Sequence, residues 1–207
     1  MAKFDIIPGL TFVDRSGWEA DNTHQRLGRR VSRSERTHVI IHHTVIPDTD
    51  ATKNLWETEE EVFQMMRKLQ TVRPDLGLDV PYNFVAFLIN NSQASMYVCE
   101  GRGEDRSGAH TKGHNTKGIA ISFAGNFHDF DVDFSKYAPL LSFFLGWLKF
   151  DPNHPSYGGP FDPMVNLGSF SPATRPVFAH RDFKATACPG RIIMPFLQLV
   201  DFVDPRA

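Results

Sequence analysis

Apolar and polar positions along this chain follow two different periods, and the switches between them mark its elements. Thr37 to His43 is rich in β-branched residues and reads as a strand. Asn83 to Ile89 and Ala94 to Cys99 read as two more, joined by the turn Asn90-Asn91-Ser92, and Gly118 to Ala124 as a fourth, apolar enough to be central in a sheet. Between the first two strands the period changes. Leu55, Val62, Met66 and Leu69 fall on one face of a helix predicted over Leu55 to Leu69, and Thr58 with Glu61 has the spacing of a capping box. A second helix is predicted over Tyr137 to Phe150, apolar on nearly every side and so deeply buried, with Pro152 ending it for want of an amide donor.

Asp151 to Pro176 carries six prolines and reads as a long loop that feeds into His180. A last helix is predicted from Pro189, because proline is tolerated in a first turn, with Pro195 placed to kink it. With mixed elements, no repeats, 207 residues and 41% hydrophobic content, the expectation is one α/β domain over residues 1–207.

Charge and composition narrow the function classes. A formal charge of −2 leaves no basic footprint for nucleic acid. No apolar stretch reaches the ~20 residues of a membrane span, so no membrane insertion is expected. Met1 to Asp5 lacks the charged and apolar regions of a secretory signal, which predicts synthesis in the cytoplasm. Cys99 and Cys188 could form at most one disulfide and are both expected to be reduced, Cys99 as a packed, inert strand residue.

The candidate chemistry lies in His42, at the end of the run Val39-Ile40-Ile41, and in the segment His180 to Gly190. His42, His180 and Cys188 can offer two imidazoles and a thiolate. Zinc takes such ligands at roughly 2.0 to 2.3 Å, and three of them leave a fourth position open, as in catalytic sites. His180 and Cys188 are too far apart for one helical face, so a loop must fold back between them. A second reading makes Cys188 a nucleophile and His180 its base, but leaves His42 unexplained. Asp182 is placed to steady a ligating histidine. Arg102 with Glu104 and Asp105 reads as a solvated turn.

The stretches Val39-Ile40-Ile41-His42-His43-Thr44, Pro81-Tyr82-Asn83-Phe84, Glu100-Gly101-Arg102-Gly103, Gly108-Ala109-His110 through Asn115, Gly125-Asn126-Phe127 and Thr186-Ala187-Cys188-Pro189-Gly190 resemble the peptidoglycan recognition protein and type 2 amidase family. Val13-Asp14-Arg15-Ser16-Gly17-Trp18 also resembles that family's opening segment, and the match runs in order over roughly residues 13–202. The resemblance implies a central mixed sheet flanked by helices. It also implies a zinc ion on His42, His180 and Cys188, and N-acetylmuramoyl-L-alanine amidase activity on bacterial peptidoglycan. Tyr82 matches the family's active-site tyrosine, and Thr186 falls where some phage members carry lysine.

His43, on the opposite strand face from His42, and His110 and Asn115 in the glycine-rich loop are candidate substrate contacts. For His110, His114 and Asn115 the competing role is to hold that loop. Intracellular recycling amidases carry a glutamate in the strand occupied here by Ile119-Ala120-Ile121-Ser122 and an aspartate as third ligand. Ser122 and Cys188 therefore place this chain with the recognition-protein and phage-lysozyme branch. A monomeric bacteriophage endolysin, or its catalytic domain, is the expected setting. Family members that bind peptidoglycan without cutting it lack the metal cysteine, and Cys188 argues against that alternative.

Overall fold

The computed structural model describes residues 2–150 and 176–207. Seven strands form one mixed sheet: β1 (Lys3–Ile7), β2 (Leu10–Val13), β3 (His38–His43), β4 (Phe84–Leu88), β5 (Met96–Glu100), β6 (Gly118–Phe123) and β7 (Val177–Ala179), in the order β1-β2-β5-β4-β6-β3-β7. The pairs β1/β2 and β4/β5 are antiparallel, and β2/β5, β4/β6, β6/β3 and β3/β7 are parallel. Two helices, α1 (Glu59–Thr71) and α2 (Ala138–Phe150), lie on opposite faces.

Alternation along the strands decides which helix each residue meets. Phe84, Ala86 and Leu88 of β4, Val39 and Ile41 of β3, and Ile119, Ile121 and Phe123 of β6 join the core under α2. Val85 and Phe87 turn the other way and pack with Val62, Met65, Met66 and Leu69 of α1. Because β3, β4 and β6 are covered on both faces where they cross the core, they read as nearly unbroken apolar runs. On the α1 face, β3 and β6 present Ile40, His42, Ala120 and Ser122, the last two small enough to leave space beside the helix.

The helices confirm the predicted periods and shift their limits. α1 begins at Glu59, not Leu55, because Thr58 is its N-cap and accepts the Glu61 amide at 3.2 Å. Glu61 reaches back to the Glu57 amide at 3.1 Å, one residue earlier than a standard capping box. Trp56 instead bridges to Ile89 and gives its indole N–H to the Ala124 carbonyl. α2 is as buried as its composition demands, and a single 3-10 turn, Phe134–Lys136, precedes it. Pro152 and the predicted loop Asp151 to Pro176, save its last residue, lie outside the described residues.

Two expectations fail. No α-helix follows Pro189: the segment makes turns and a short 3-10 stretch, Met194–Phe196. Gly190 sits at φ +100°, outside helical space, and Pro195 removes the donor that a continuing helix would need. The second failure is Arg102, Glu104 and Asp105, which are each at most 3% exposed. Arg102 donates to the Val80 carbonyl at 3.0 Å and lies 3.5 Å from buried Asp79, while Asp105 pairs with Arg26 at 2.5 Å. Short polar stretches turn inward when partners from distant segments meet them, and here Arg26, Arg33, Arg36 and Asp79 do so.

Candidate metal centre

Parallel pairing of β3 with β7 brings the end of each strand to one edge of the sheet, and both candidate histidines stand there. His42 is the fifth residue of β3, opposite Ser122 of β6, and is 1% exposed. His180 opens the 3-10 turn His180–Asp182 directly after β7. Cys188 returns to them through the loop that sequence spacing requires. That return is fixed by the Arg181 amide on the Cys188 carbonyl at 3.1 Å and the Cys188 amide on Thr186 Oγ1 at 3.2 Å. Gly190, whose would-be Cβ falls 2.4 Å from the Phe127 backbone, lets the loop lie against the turn that follows β6.

The three side chains converge. Their ligand atoms all lie within 4.8 Å of one another, and the imidazole centroids of His42 and His180 are 4.4 Å apart. Cys188 Sγ stands 3.7 Å from His42 Nδ1. Two ligands at Zn–S ≈ 2.3 Å and Zn–N ≈ 2.1 Å would be about 3.6 Å apart at a tetrahedral angle, so the spacing fits zinc. Burial first, and neighbouring histidines after it, hold His42 well below its usual pKa, and burial does the same to His180. Both rings are thus neutral, as ligation requires. Burial pushes the Cys188 thiol up to about 12, which an adjacent cation would reverse, since a coordinating thiol is deprotonated outright. The His43 amide, 3.3 Å from the sulfur, already points a donor at it.

A cavity of about 540 Å³ opens over this cluster, beside the C-terminal end of α1. Tyr82, Thr186, His43 and His110 all line it. The Tyr82 ring lies 5.4 Å from that of His42, and burial raises its phenol above the usual range, so it stays protonated and can donate. The Tyr82 backbone is clamped by the segment that follows β5: its carbonyl accepts the Arg102 amide at 2.9 Å. Gly101 allows this approach because a Cβ there would lie 2.4 Å from that same oxygen. Arg15 and Trp18 of the opening segment brace the clamp from behind, on the carbonyls of Gly101 and Glu100 at 2.8 Å each.

Three predicted residues do something else. Asn115 does not line the cavity; its side-chain oxygen takes the amides of His110 and Thr111 at 2.8 and 2.9 Å, so it holds the loop. His114 packs its ring on Phe183 at 4.0 Å. The Asp182 carboxylate takes the Ala179 amide at 2.8 Å, capping the turn that carries His180 rather than touching a ring. His43 has one ring nitrogen committed, since Nδ1 accepts the Phe127 amide at 3.3 Å. Sequence reasoning missed Arg73 and Lys184 at the cavity wall and Thr111 behind His42. Thr111 directly follows the Gly-Ala-His triplet, which was the available signal.

No protein-family model matches the chain. It is 26% identical over 165 residues to the N-acetylmuramoyl-L-alanine amidase of Mus musculus, an alignment covering 77% of this chain and 25% of that one. It is 29% identical over 157 residues to peptidoglycan-recognition protein SC1a of Drosophila melanogaster, covering 74% and 68%. Peptidoglycan-recognition protein SC2 of Drosophila simulans is 30% identical over 122 residues, with 58% of each chain covered. The chain thus spans between a quarter and two thirds of these relatives' length. Among solved structures, wild-type Drosophila PGRP-LB superposes with a TM-score of 0.64 at 19% identity over 96% of this chain and 98% of that one. Peptidoglycan recognition protein-LE in complex with tracheal cytotoxin, a monomeric diaminopimelic acid-type peptidoglycan, does so with a TM-score of 0.63 at 21% identity, covering 95% and 96%.

Proposed function

Since the chain belongs to the family of peptidoglycan-recognition proteins and type 2 amidases, we propose that it is a zinc-dependent N-acetylmuramoyl-L-alanine amidase. Its substrate is peptidoglycan, cut between the lactyl group of N-acetylmuramic acid and L-alanine of the stem peptide. The observation that carries the reading is the convergence of His42, His180 and Cys188 at the floor of an open cavity. A module that only binds has no use for a buried thiol facing two neutral imidazoles.

His42, His180 and Cys188 would hold the ion. When bound, zinc acidifies water towards pKa ~7 and polarises a carbonyl, which is the chemistry amide hydrolysis needs. The chain's own groups do the rest. The protonated Tyr82 phenol, at the cavity wall, donates to the oxygen on which negative charge develops. Thr186 accepts the Cys188 amide and keeps its own hydroxyl proton for a second donation. His43 and His110 border the same space and contact the bound glycopeptide. The thiol-hydrolase alternative is disfavoured because burial raises the Cys188 thiol and keeps it protonated, and the thiolate is the nucleophile such a mechanism needs.

Cys188 as third ligand and Ser122 beside His42 favour a lytic role over recycling. A monomeric bacteriophage endolysin or its catalytic domain, made in the cytoplasm and delivered to the wall, is the setting proposed.

The decisive experiment measures bound zinc and digestion products together. One zinc per chain, loss of activity to a chelator, recovery on adding Zn²⁺, and new L-alanine amines without new reducing ends are expected. Activity in a zinc-free preparation would sink the proposal. Tyr82→Phe should lower kcat by about 10² to 10³ with KM little changed, because the lost bond forms mainly in the transition state. Near wild-type turnover with zinc retained would leave Tyr82 a packing role only.

A further inference from the structure

We propose that Thr111 is a positioning residue for the metal centre. Its hydroxyl accepts the Nε2 proton of His42 and donates its own proton to His110, which keeps the Nδ1 lone pair of His42 turned towards Cys188. The inference rests on the zinc reading of the site.

The argument is one of proton placement. A neutral imidazole carries a single proton, so a ring that ligates through one nitrogen must be protonated on the other. His42 presents Nδ1 to Cys188 Sγ at 3.7 Å, which assigns the proton to Nε2. Nε2 lies 3.4 Å from Thr111 Oγ1, and His42 and Thr111 are both buried, so water does not compete for the bond. Thr111 Oγ1 is also 3.0 Å from His110 Nδ1. A hydroxyl has one proton and two lone pairs, so after accepting from His42 it still has its own proton to give to His110 Nδ1. Reversing the direction would put the His42 proton on Nδ1, against the sulfur, and abolish the ligand.

Thr111 is itself held in place. Its amide is tied to Asn115 Oδ1 at 2.9 Å, and its carbonyl accepts the His114 amide at 2.9 Å. The far end of this loop is gripped by the buried Arg36 guanidinium, which donates to the Thr116 and Gly118 carbonyls at 2.7 and 2.8 Å. An unbroken series of hydrogen bonds therefore runs from a buried arginine to a metal ligand. Hydrogen-bond partners of ligating histidines commonly fix ring tautomer and orientation in this way.

The test is the zinc affinity of the full chain by competition with a chelator at fixed pH, for wild type, Thr111→Val and Thr111→Ser. Thermal midpoints of the metal-free proteins are measured beside it. Valine keeps the shape and removes the hydroxyl; serine keeps the hydroxyl. Thr111→Val should bind zinc about 10- to 100-fold more weakly, with Thr111→Ser within about threefold of wild type. Wild-type affinity in Thr111→Val, or equal weakening in both, overturns the assignment. Imidazole nitrogen chemical shifts of His42 in the metal-free wild type supply a measurement that needs no variant: a proton on Nε2 is expected, and a proton on Nδ1 overturns it. A wild type without zinc affinity overturns the metal reading instead, and the tautomer still decides the Thr111 bond.

Discussion

Cys188→Ser is expected to lose stoichiometric zinc and to slow amide hydrolysis by at least about 10³-fold, the several kcal/mol of charge stabilisation a catalytic ion supplies. Serine offers a hydroxyl where the site offers a thiol, and a neutral hydroxyl is a poor ligand for zinc. Little else should change. The loop from Arg181 to Gly190 keeps its backbone bonds, and the cavity walls made by Tyr82, Ile46 and Val72 are untouched. Binding of muropeptide fragments should therefore survive in the variant while turnover does not. Metal analysis and turnover on purified walls check this together; one zinc per chain with turnover within about tenfold of wild type would exclude Cys188 as a ligand. Metal-free wild type separates the thiol mechanism, because only an amidase that needs zinc recovers when zinc is returned.

Arg36→Met should destabilise the folded chain by about 3 to 5 kcal/mol, the usual result of removing one member of a buried charge network. Arg36 is 1% exposed, and its guanidinium donates to the carbonyls of Glu104, Arg106, Thr116 and Gly118 at 2.5 to 3.1 Å. Burial lowers its pKa to about 10, and Glu104 and Asp105 offset part of that loss. Methionine would fill much of the space but leave four carbonyls short of a donor and take a positive charge away from the buried Glu104 and Asp105. Arg36→Lys should recover only part of the stability, since an ammonium has three donors against five in a fixed fork. Urea unfolding of the three proteins measures it; a loss below about 1 kcal/mol for Arg36→Met would mean that water replaces the guanidinium.

The same arginine shows where sequence reading stops. Strands β3, β4, β5 and β6 and both helices are legible because each carries a hydrophobic period long enough to count. β7 has three residues, too few for any period. β1 and β2 are short, and β1, at the sheet edge, is mostly part-exposed, so its alternation is weak. The polar run Arg102 to Asp105 reads as surface because its partners, Arg26, Arg36 and Asp79, come from 20 or more residues away and pairing at that range leaves no local trace. The convergence of His42, His180 and Cys188 was legible from their ligand chemistry together with the family resemblance. Asn115 and Asp182 were not, because their carboxamide and carboxylate suit backbone capping as well as they suit a ligand, and only the folded loop shows which bond is made.

The parallel strands β3 and β7 place the two ends of the metal cluster far apart in the chain, with His42 and Cys188 separated by 146 positions. Neither β3 nor β6 nor the α1 side of the sheet can complete the candidate centre, because two of its three residues, His180 and Cys188, follow His42 by more than a hundred positions. At synthesis rates of about 5 to 20 residues per second, roughly 7 to 30 s pass between the translation of His42 and that of Cys188. A nascent chain carrying only His42 lacks two of the three residues that would hold the proposed zinc. On the proposed zinc reading, hydrolytic power would thus appear in a single step, when β7 docks, and acquisition of zinc by ribosome-bound chains of increasing length would time that step.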